Sequence, residues 1–307
     1  MAYGCIRGDE RVYPENECIG DKNMIAKFGA AGNSDSFYAE GHKASEEMPK
    51  WLMERGLDAY EYQCGNGVRC GEATAKKIAK AAEENGIVMS VHSPYYINLA
   101  TPEEEKRAGG INYIMQSAQL VKYLGGDRVV VHSGALGKLS REEATEYAKK
   151  TLTLARAELV AAGFGDVRLC IETMGKINQL GNLDEVMELC SLDESFLPCI
   201  DFGHLNARTL GGLKTKADFE EIFDAIKNRL GEERHQNFHS HFSKIEYTKG
   251  GEKKHLTFSD TVYGPDFDFV AEIIAERDLS PIIISESAGT QAEDALAMKK
   301  MYQTVKK

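Results

Sequence analysis

The 307-residue chain has no stretch approaching the roughly 18 consecutive apolar residues that a bilayer-crossing helix needs. It also has no CxxC pair among its seven cysteines and no excess of positive charge. The first absence speaks against a membrane protein. Charges interrupt the N-terminal MAYGCIRGDERVYPENECIG where a signal peptide would need an apolar run, so a cytoplasmic location is the expectation. The second absence speaks against a thiolate zinc site or a disulfide framework. Cys5, Cys18, Cys64, Cys70, Cys170, Cys190 and Cys199 are odd in number, in a chain long enough to need no staples. Reduced thiols are expected, with Cys170 and Cys199 buried as small hydrophobes inside apolar runs. Cys64 and Cys70 flank the loop CGNGVRC without partner ligands and receive no role. The third absence, 37 Lys and Arg against 48 Asp and Glu for a net charge of −11, argues against broad nonspecific nucleic-acid binding. A local basic rim is compatible with it, and bound divalent cations would offset several of the carboxylates.

What is present is a rhythm. Eight segments read as strands: MIAKFGAAG, LDAYEYQCG, GIVMSVHS, RVVVHSG, VRLCIETMG, FLPCIDFGH, NFHSHFSK and PIIISES. Amphipathic stretches lie between them, as in TEYAKKTLTLARAELVAAG, where Leu152, Ala155, Leu159 and Ala162 share a helical stripe. Hydroxyl-x-x-Glu pairs at Thr101 and Glu104, Ser140 and Glu143, and Thr290 and Glu293 mark helix starts, with Pro102 suited to a first helical position. Repeated strand and helix units imply a parallel sheet, and eight of them imply a closed TIM (β/α)8 barrel in a single α/β domain. Residues 1–23 form a short N-terminal extension to a barrel spanning 24–307, and 244–266 form a long loop after the seventh strand.

Metal-ligand residue types stand at the ends of these strands: His92, His132, Glu172, Asp201 with His204, His241 and Glu286. From 92 to 132, 172, 201, 241 and 286 the intervals are 40, 40, 29, 40 and 45 residues, the length of a barrel repeat. In a parallel barrel all these side chains emerge at one end. Imidazole with carboxylate is a ligand set for zinc, manganese or iron. So many ionisable groups converging without a cation would be costly to bury. Seven candidate ligands exceed what one zinc accepts, so at least two ions are expected, and Glu172, central in the strand order, is a plausible bridge. Two ions about 3.5–4 Å apart suit phosphoester hydrolysis. His239 faces the same way as His241 by strand alternation and is expected to support the ligands rather than join them.

The segments SVHSPYYINLA, VVVHSGA, CIETMG, IDFGHLNA, the His241 strand and IISESAG together resemble the endonuclease IV family of zinc-dependent AP endonucleases, from about Met24 to the C-terminus. VHSPYYINL is the most specific match. The resemblance implies a hydrolase with two or three Zn2+ ions, or Mn2+ in their place, that uses metal-activated water to cleave damaged double-stranded DNA 5′ to abasic sites. His92, His132 and Glu172 resemble the ligands of the first zinc. Glu172, the catalytic residue of this reading, also bridges to a second zinc held by Asp201, His241 and Glu286. The third would take His204 and His255. Here the chain departs from the family, which places an aspartate two residues before the last histidine, where this sequence has Lys253. An ammonium has no lone pair for a metal, and Glu252 substitutes only if the loop shifts register. Tyr95 resembles the family's DNA-contacting tyrosine, and Arg69 lies where the family places an arginine that enters the duplex. Lys244, Lys249, Lys253 and Lys254 put local positive charge on the long loop.

A second reading is a sugar isomerase or epimerase of the related xylose-isomerase-like barrels, acting on a small sugar with one ion held by Glu172, Asp201, His241 and Glu286. His92, His132, His204 and His255 are superfluous to that enzyme and favour the hydrolase. A noncatalytic damage-binding protein is the third, and a complete second-metal ligand set disfavours it.

Overall fold

A computed structural model describes residues 25–306. The expected N-terminal extension lies outside the described residues, as do Cys5 and Cys18. Eight parallel strands close into a barrel in the order β1-β10-β7-β6-β5-β4-β3-β2. They are β1 (Lys27–Ala31), β2 (Ala59–Gln63), β3 (Val88–His92), β4 (Arg128–His132), β5 (Arg168–Glu172), β6 (Leu197–Asp201), β7 (His239–Phe242) and β10 (Ile282–Ser285). Each falls inside one of the eight predicted segments. Helices including Glu72–Asn85, Glu104–Tyr123, Arg141–Ala161 and Gln291–Val305 pack outside.

Strand alternation decides what points where. On β4, Val129 and Val131 join the large core between sheet and helices, while Val130 joins a small inner cluster with Cys170, Leu197 and Cys199. Continuing the inward parity upward gives His132 on β4, Glu172 on β5 and Asp201 on β6. The register pairs His132 with Glu172, Glu172 with Cys199 and Asp201 with His241, so the ligand types sit at one level of the barrel. The same parity puts Glu61 of β2 inside, opposite Ser90 of β3. The five described cysteines are free thiols, with Cys170 and Cys199 fully buried as expected.

Several local expectations need correction. Ser140 and Glu143 form the predicted capping box. Thr101 instead accepts from the Glu103 amide (3.3 Å), and the helix begins at Glu104, leaving Pro102 ahead of it. Thr290 occupies an N-cap position, but its hydroxyl donates to Asp294 (3.0 Å) while Glu293 accepts from Ser36. A further box at Asn182 and Glu185 starts Leu183–Cys190. Leu152, Ala155 and Leu159 are buried as one stripe, whereas Ala162 is exposed because it follows the last helical turn. The segment 244–266 is more than a loop. It folds into an antiparallel hairpin of β8 (Ile245–Thr248) and β9 (Gly251–His255), turned at Lys249 and Gly250.

Candidate metal centre

The strand ends deliver the predicted residues to one place. Glu172 is fully buried at its centre. Its Oε2 lies 3.3 Å from His92 Nε2 and 3.1 Å from His132 Nε2. Its Oε1 lies 3.1 Å from His241 Nδ1 and 3.5 Å from His204 Nδ1. His241 Nδ1 is also 3.5 Å from Glu286 Oε2. Four groupings have donor atoms close enough to share a cation: three at the strand ends, namely His92, Glu172 and His241; Glu172, Asp201, His241 and Glu286; and His204, Glu252 and His255; and a fourth lower in the barrel, Cys199, His239 and His241.

Backbone carbonyls set the tautomers that a metal would need. His92 Nδ1 is 2.7 Å from the Ser93 carbonyl and His132 Nδ1 is 3.0 Å from the Tyr95 carbonyl. A carbonyl only accepts, so each Nδ1 carries hydrogen and each Nε2 is left to present a lone pair toward Glu172. Lone pairs facing a carboxylate across some 3 Å repel unless a proton or cation lies between them. Asp201 Oδ2 and Glu172 Oε2 are buried and accept no hydrogen bond among the described residues. Such donor-starved carboxylates beside oriented imidazoles fit divalent ions.

Electrostatics point the same way. Burial pushes the Glu172 carboxyl up, but His132 and His241 outweigh it and hold the group well below its ordinary range. Burial likewise depresses His92, and its contacts with Glu172 reverse this and raise it to about 9. His204 and His241 are raised well above normal, burial being overcome by Asp201 for the former and by surrounding anions for the latter.

A short helix, Phe202–Arg208, starts directly after β6, and Asp201 caps it by accepting the His204 amide through Oδ1 (2.7 Å), leaving Oδ2 for the centre. The third grouping depends on the hairpin. Glu246 pairs with Lys254 and Tyr247 with Glu252, so Lys253 is the extra residue of a β-bulge. Strand alternation would otherwise put Glu252 and His255 on opposite faces. The bulge returns both to the metal side and sends Lys253 out to an ion pair with Glu246. This is the register shift that the sequence left open. Glu252 Oε2 reaches 3.4 Å from His204 Nε2, and the His204 and His255 rings are 5.3 Å apart. The hairpin docks because residues 175 and 251 are glycines. A Cβ on Gly175 would come within 2.6 Å of the Glu252 Cβ, and one on Gly251 within 2.2 Å of the Gly175 carbonyl oxygen. Deleting Lys253 should therefore remove one bound ion per chain, as should Glu252→Gln, whereas Lys253→Ala should keep the full complement. Elemental analysis of the three variants checks this.

Above the cluster opens a cavity of about 330 Å³ lined by Gln63, Tyr95, Met174, Lys176 and Gln179 together with the ligand types. Tyr95 is 53% exposed, and its hydroxyl donates to Asn66 (2.7 Å) across the loop that carries exposed Arg69. Tyr95 thus lines the cavity, whereas Arg69 is not among its lining residues. Lys244 is held by Asp266 and Lys254 by Glu246, so the long segment's positive charge is largely neutralised. Cys64 and Cys70 join no ligand grouping among the described residues.

Glu61 escaped the sequence reading, and Glu252 entered it only on condition of a register shift. Glu252 needed knowledge of the bulge. Glu61 lies mid-strand between two tyrosines, and strand alternation from Ala59 was the signal that could have found it. It is fully buried, with His239 Nε2 and His241 Nε2 each 2.9 Å from its carboxylate. Burial lowers His239 to about 4, and its ring stands with Cys199 and His241 in a ligand grouping, although it was expected only to support the ligands.

The molecule is thus an α/β barrel whose strand ends converge on His and carboxylate groupings that could hold a metal ion. The chain belongs to the xylose isomerase-like TIM barrel family, whose pattern matches residues 49–302. It is 34% identical over 279 residues to the uncharacterized protein MJ0133 of Methanocaldococcus jannaschii, a match covering 91% of this chain and 98% of that one. A Mycoplasma pneumoniae protein named "Probable endonuclease 4" is 28% identical over 206 residues, covering 64% of this chain and 66% of the relative. Among solved structures, a D-tagatose 3-epimerase-like protein superposes with a TM-score of 0.66 at 18% identity, covering 91% of this chain and 98% of that one. That likeness concerns the fold alone. No described helix is long and apolar enough to cross a membrane.

Proposed function

We propose that this chain is a multinuclear metal-dependent phosphodiesterase of the endonuclease IV kind, with zinc as its ion and abasic-site DNA as its substrate. The observation that carries the reading is the convergence of three ligand groupings, two of them meeting at Glu172. A single-ion sugar enzyme needs only Glu172, Asp201, His241 and Glu286. It has no use for carbonyl-locked His92 and His132, nor for a hairpin bulged so that Glu252 and His255 face His204.

Divalent ions bound in such a cluster supply Lewis-acid polarisation of a phosphoryl group and a water nucleophile at neutral pH. The chain's own residues do the placing. Glu172 turns one oxygen to His92 and His132 and the other to His241, so it would be shared by ions held on the two sides. Tyr95 lines the cavity, where a strand's sugars and bases would pass, and hydrogen-bonds Asn66 of the loop on which Arg69 is exposed. Lys176 lines the cavity, is exposed, and makes no ion pair among the described residues, which leaves its ammonium for a phosphate. The net charge of −11 is compatible with this because the acidic groups of the centre would be neutralised by the ions.

The sugar isomerase or epimerase remains the second reading. The modest cavity and the neutralised lysines of the hairpin favour it. Incubating the zinc-loaded protein with an end-labelled duplex carrying one abasic site separates the two. Incision 5′ to the lesion, with none of the intact duplex, is the expected result. No incision, together with interconversion of ketohexoses by the manganese-loaded protein, would replace the first reading with the second.

A further inference from the structure

We infer that Glu61 is a positioning residue for the metal centre: from beneath the cluster its carboxylate holds the His241 ring so that Nδ1 faces Glu172 and Glu286. This rests on the metal-centre reading above and adds a residue that does not itself touch an ion.

Glu61 is a carboxylate at 0% exposure inside the barrel, away from the cavity. An isolated buried anion is costly, yet this one is surrounded by donors. Its Oε2 accepts from Ser90 Oγ at 2.9 Å and from His239 Nε2 at 2.9 Å. Its Oε1 accepts from Gln63 Nε2 at 3.2 Å and lies 2.9 Å from His241 Nε2 in a close but bent contact. Three hydrogen-bond donors, with the His241 nitrogen close beside Oε1, match an ionised carboxylate. As it stands, His241 hydrogen-bonds Glu172 through Nδ1 and makes no hydrogen bond through Nε2 among the described residues; a metal on Nδ1 would leave the ring hydrogen on Nε2, 2.9 Å from this acceptor-only carboxylate. The opposite ring nitrogen, Nδ1, lies 3.1 Å from Glu172 Oε1 and 3.5 Å from Glu286 Oε2, within the four-residue grouping with Asp201. A carboxylate behind a ligating imidazole fixes its tautomer and orientation and raises its basicity. His92 and His132 receive the same service from backbone carbonyls. His241 has a charged partner instead, itself fixed by three other side chains.

The test is metal binding by the full-length chain, stripped of metal and titrated with zinc against a chelating dye, with cobalt as a spectroscopic probe. Glu61→Gln should weaken one zinc per chain by about 10- to 100-fold. The remaining ions should keep their affinity. The visible cobalt bands of the weakened site should shift, which a general loosening of the fold would not do selectively. Unchanged zinc affinities and an unchanged cobalt spectrum in folded Glu61→Gln would overturn the inference. Wild-type protein that takes up no zinc or cobalt would overturn the underlying metal-centre reading instead, so the two failures are distinguishable. Should Glu61→Gln fail to fold, Ser90→Ala decides: it keeps the carboxylate but removes one anchor. A several-fold weakening of the same single ion supports the inference, and wild-type affinity for every ion refutes it.

Discussion

Replacing Glu172 by Gln is expected to reduce incision of an abasic-site duplex by about a thousandfold or more, on the order of 4 kcal/mol of transition-state stabilisation. Glu172 stands 3.1–3.3 Å from His92 and His132 on one oxygen and 3.1 Å from His241 on the other, so no other side chain can take its place between the groupings. An amide keeps the volume but brings an N–H2 where a lone pair is needed. Single-turnover kinetics at saturating zinc separates this loss from weakened substrate binding. Activity within a fewfold of wild type would remove Glu172 from the catalytic role.

The second large effect is on stability. Stripping the ions should lower the melting temperature by roughly 10 °C or more, since each ion at a free concentration a thousand times its Kd contributes about 4 kcal/mol. The cause is the buried anionic cluster, in which Asp201 Oδ2 and Glu172 Oε2 lack donors among the described residues. The pH dependence has a definite sign. His92, raised from 6.5 to about 9, stabilises the stripped protein fully below 6.5, and that contribution is lost as pH rises through 9. Glu172, lowered well below 4.5, contributes above its ordinary range and loses this as pH falls through its depressed value. Metal binding needs the deprotonated imidazoles, so adding zinc to stripped protein at pH 7 should release protons. Calorimetry in buffers of different ionisation enthalpy measures that release. A melting temperature indifferent to chelation would contradict the account.

The barrel and most of the cluster were legible in the sequence for a physical reason. Apolar strand runs ending in His, Glu or Asp at a 29- to 45-residue spacing leave few other topologies, and all eight strands fell where the apolar runs placed them. Glu61 was hidden because an acidic residue between Tyr60 and Tyr62 reads as a solvent-facing strand position until the barrel closes around it. Glu252 was named only conditionally, for a different reason. Whether Glu252, Lys253 or neither faces His255 depends on one bulged residue, and a one-residue change of register reverses every side chain in a strand. The capping pairs mark the limit of local patterns. Ser140 caps its helix, but Thr101 and Thr290 spend their hydroxyls on Glu103 and Asp294, because the backbone reaches the helical conformation later or at a different angle there.

The measurement closest to the central claim is the number of metal ions per folded chain, by elemental analysis after purification and dialysis against metal-free buffer. The three ligand groupings predict two to three zinc ions per chain, falling by one in Glu252→Gln. A single manganese or cobalt ion per chain, unchanged in that variant, would contradict the multinuclear centre and the phosphodiesterase built on it.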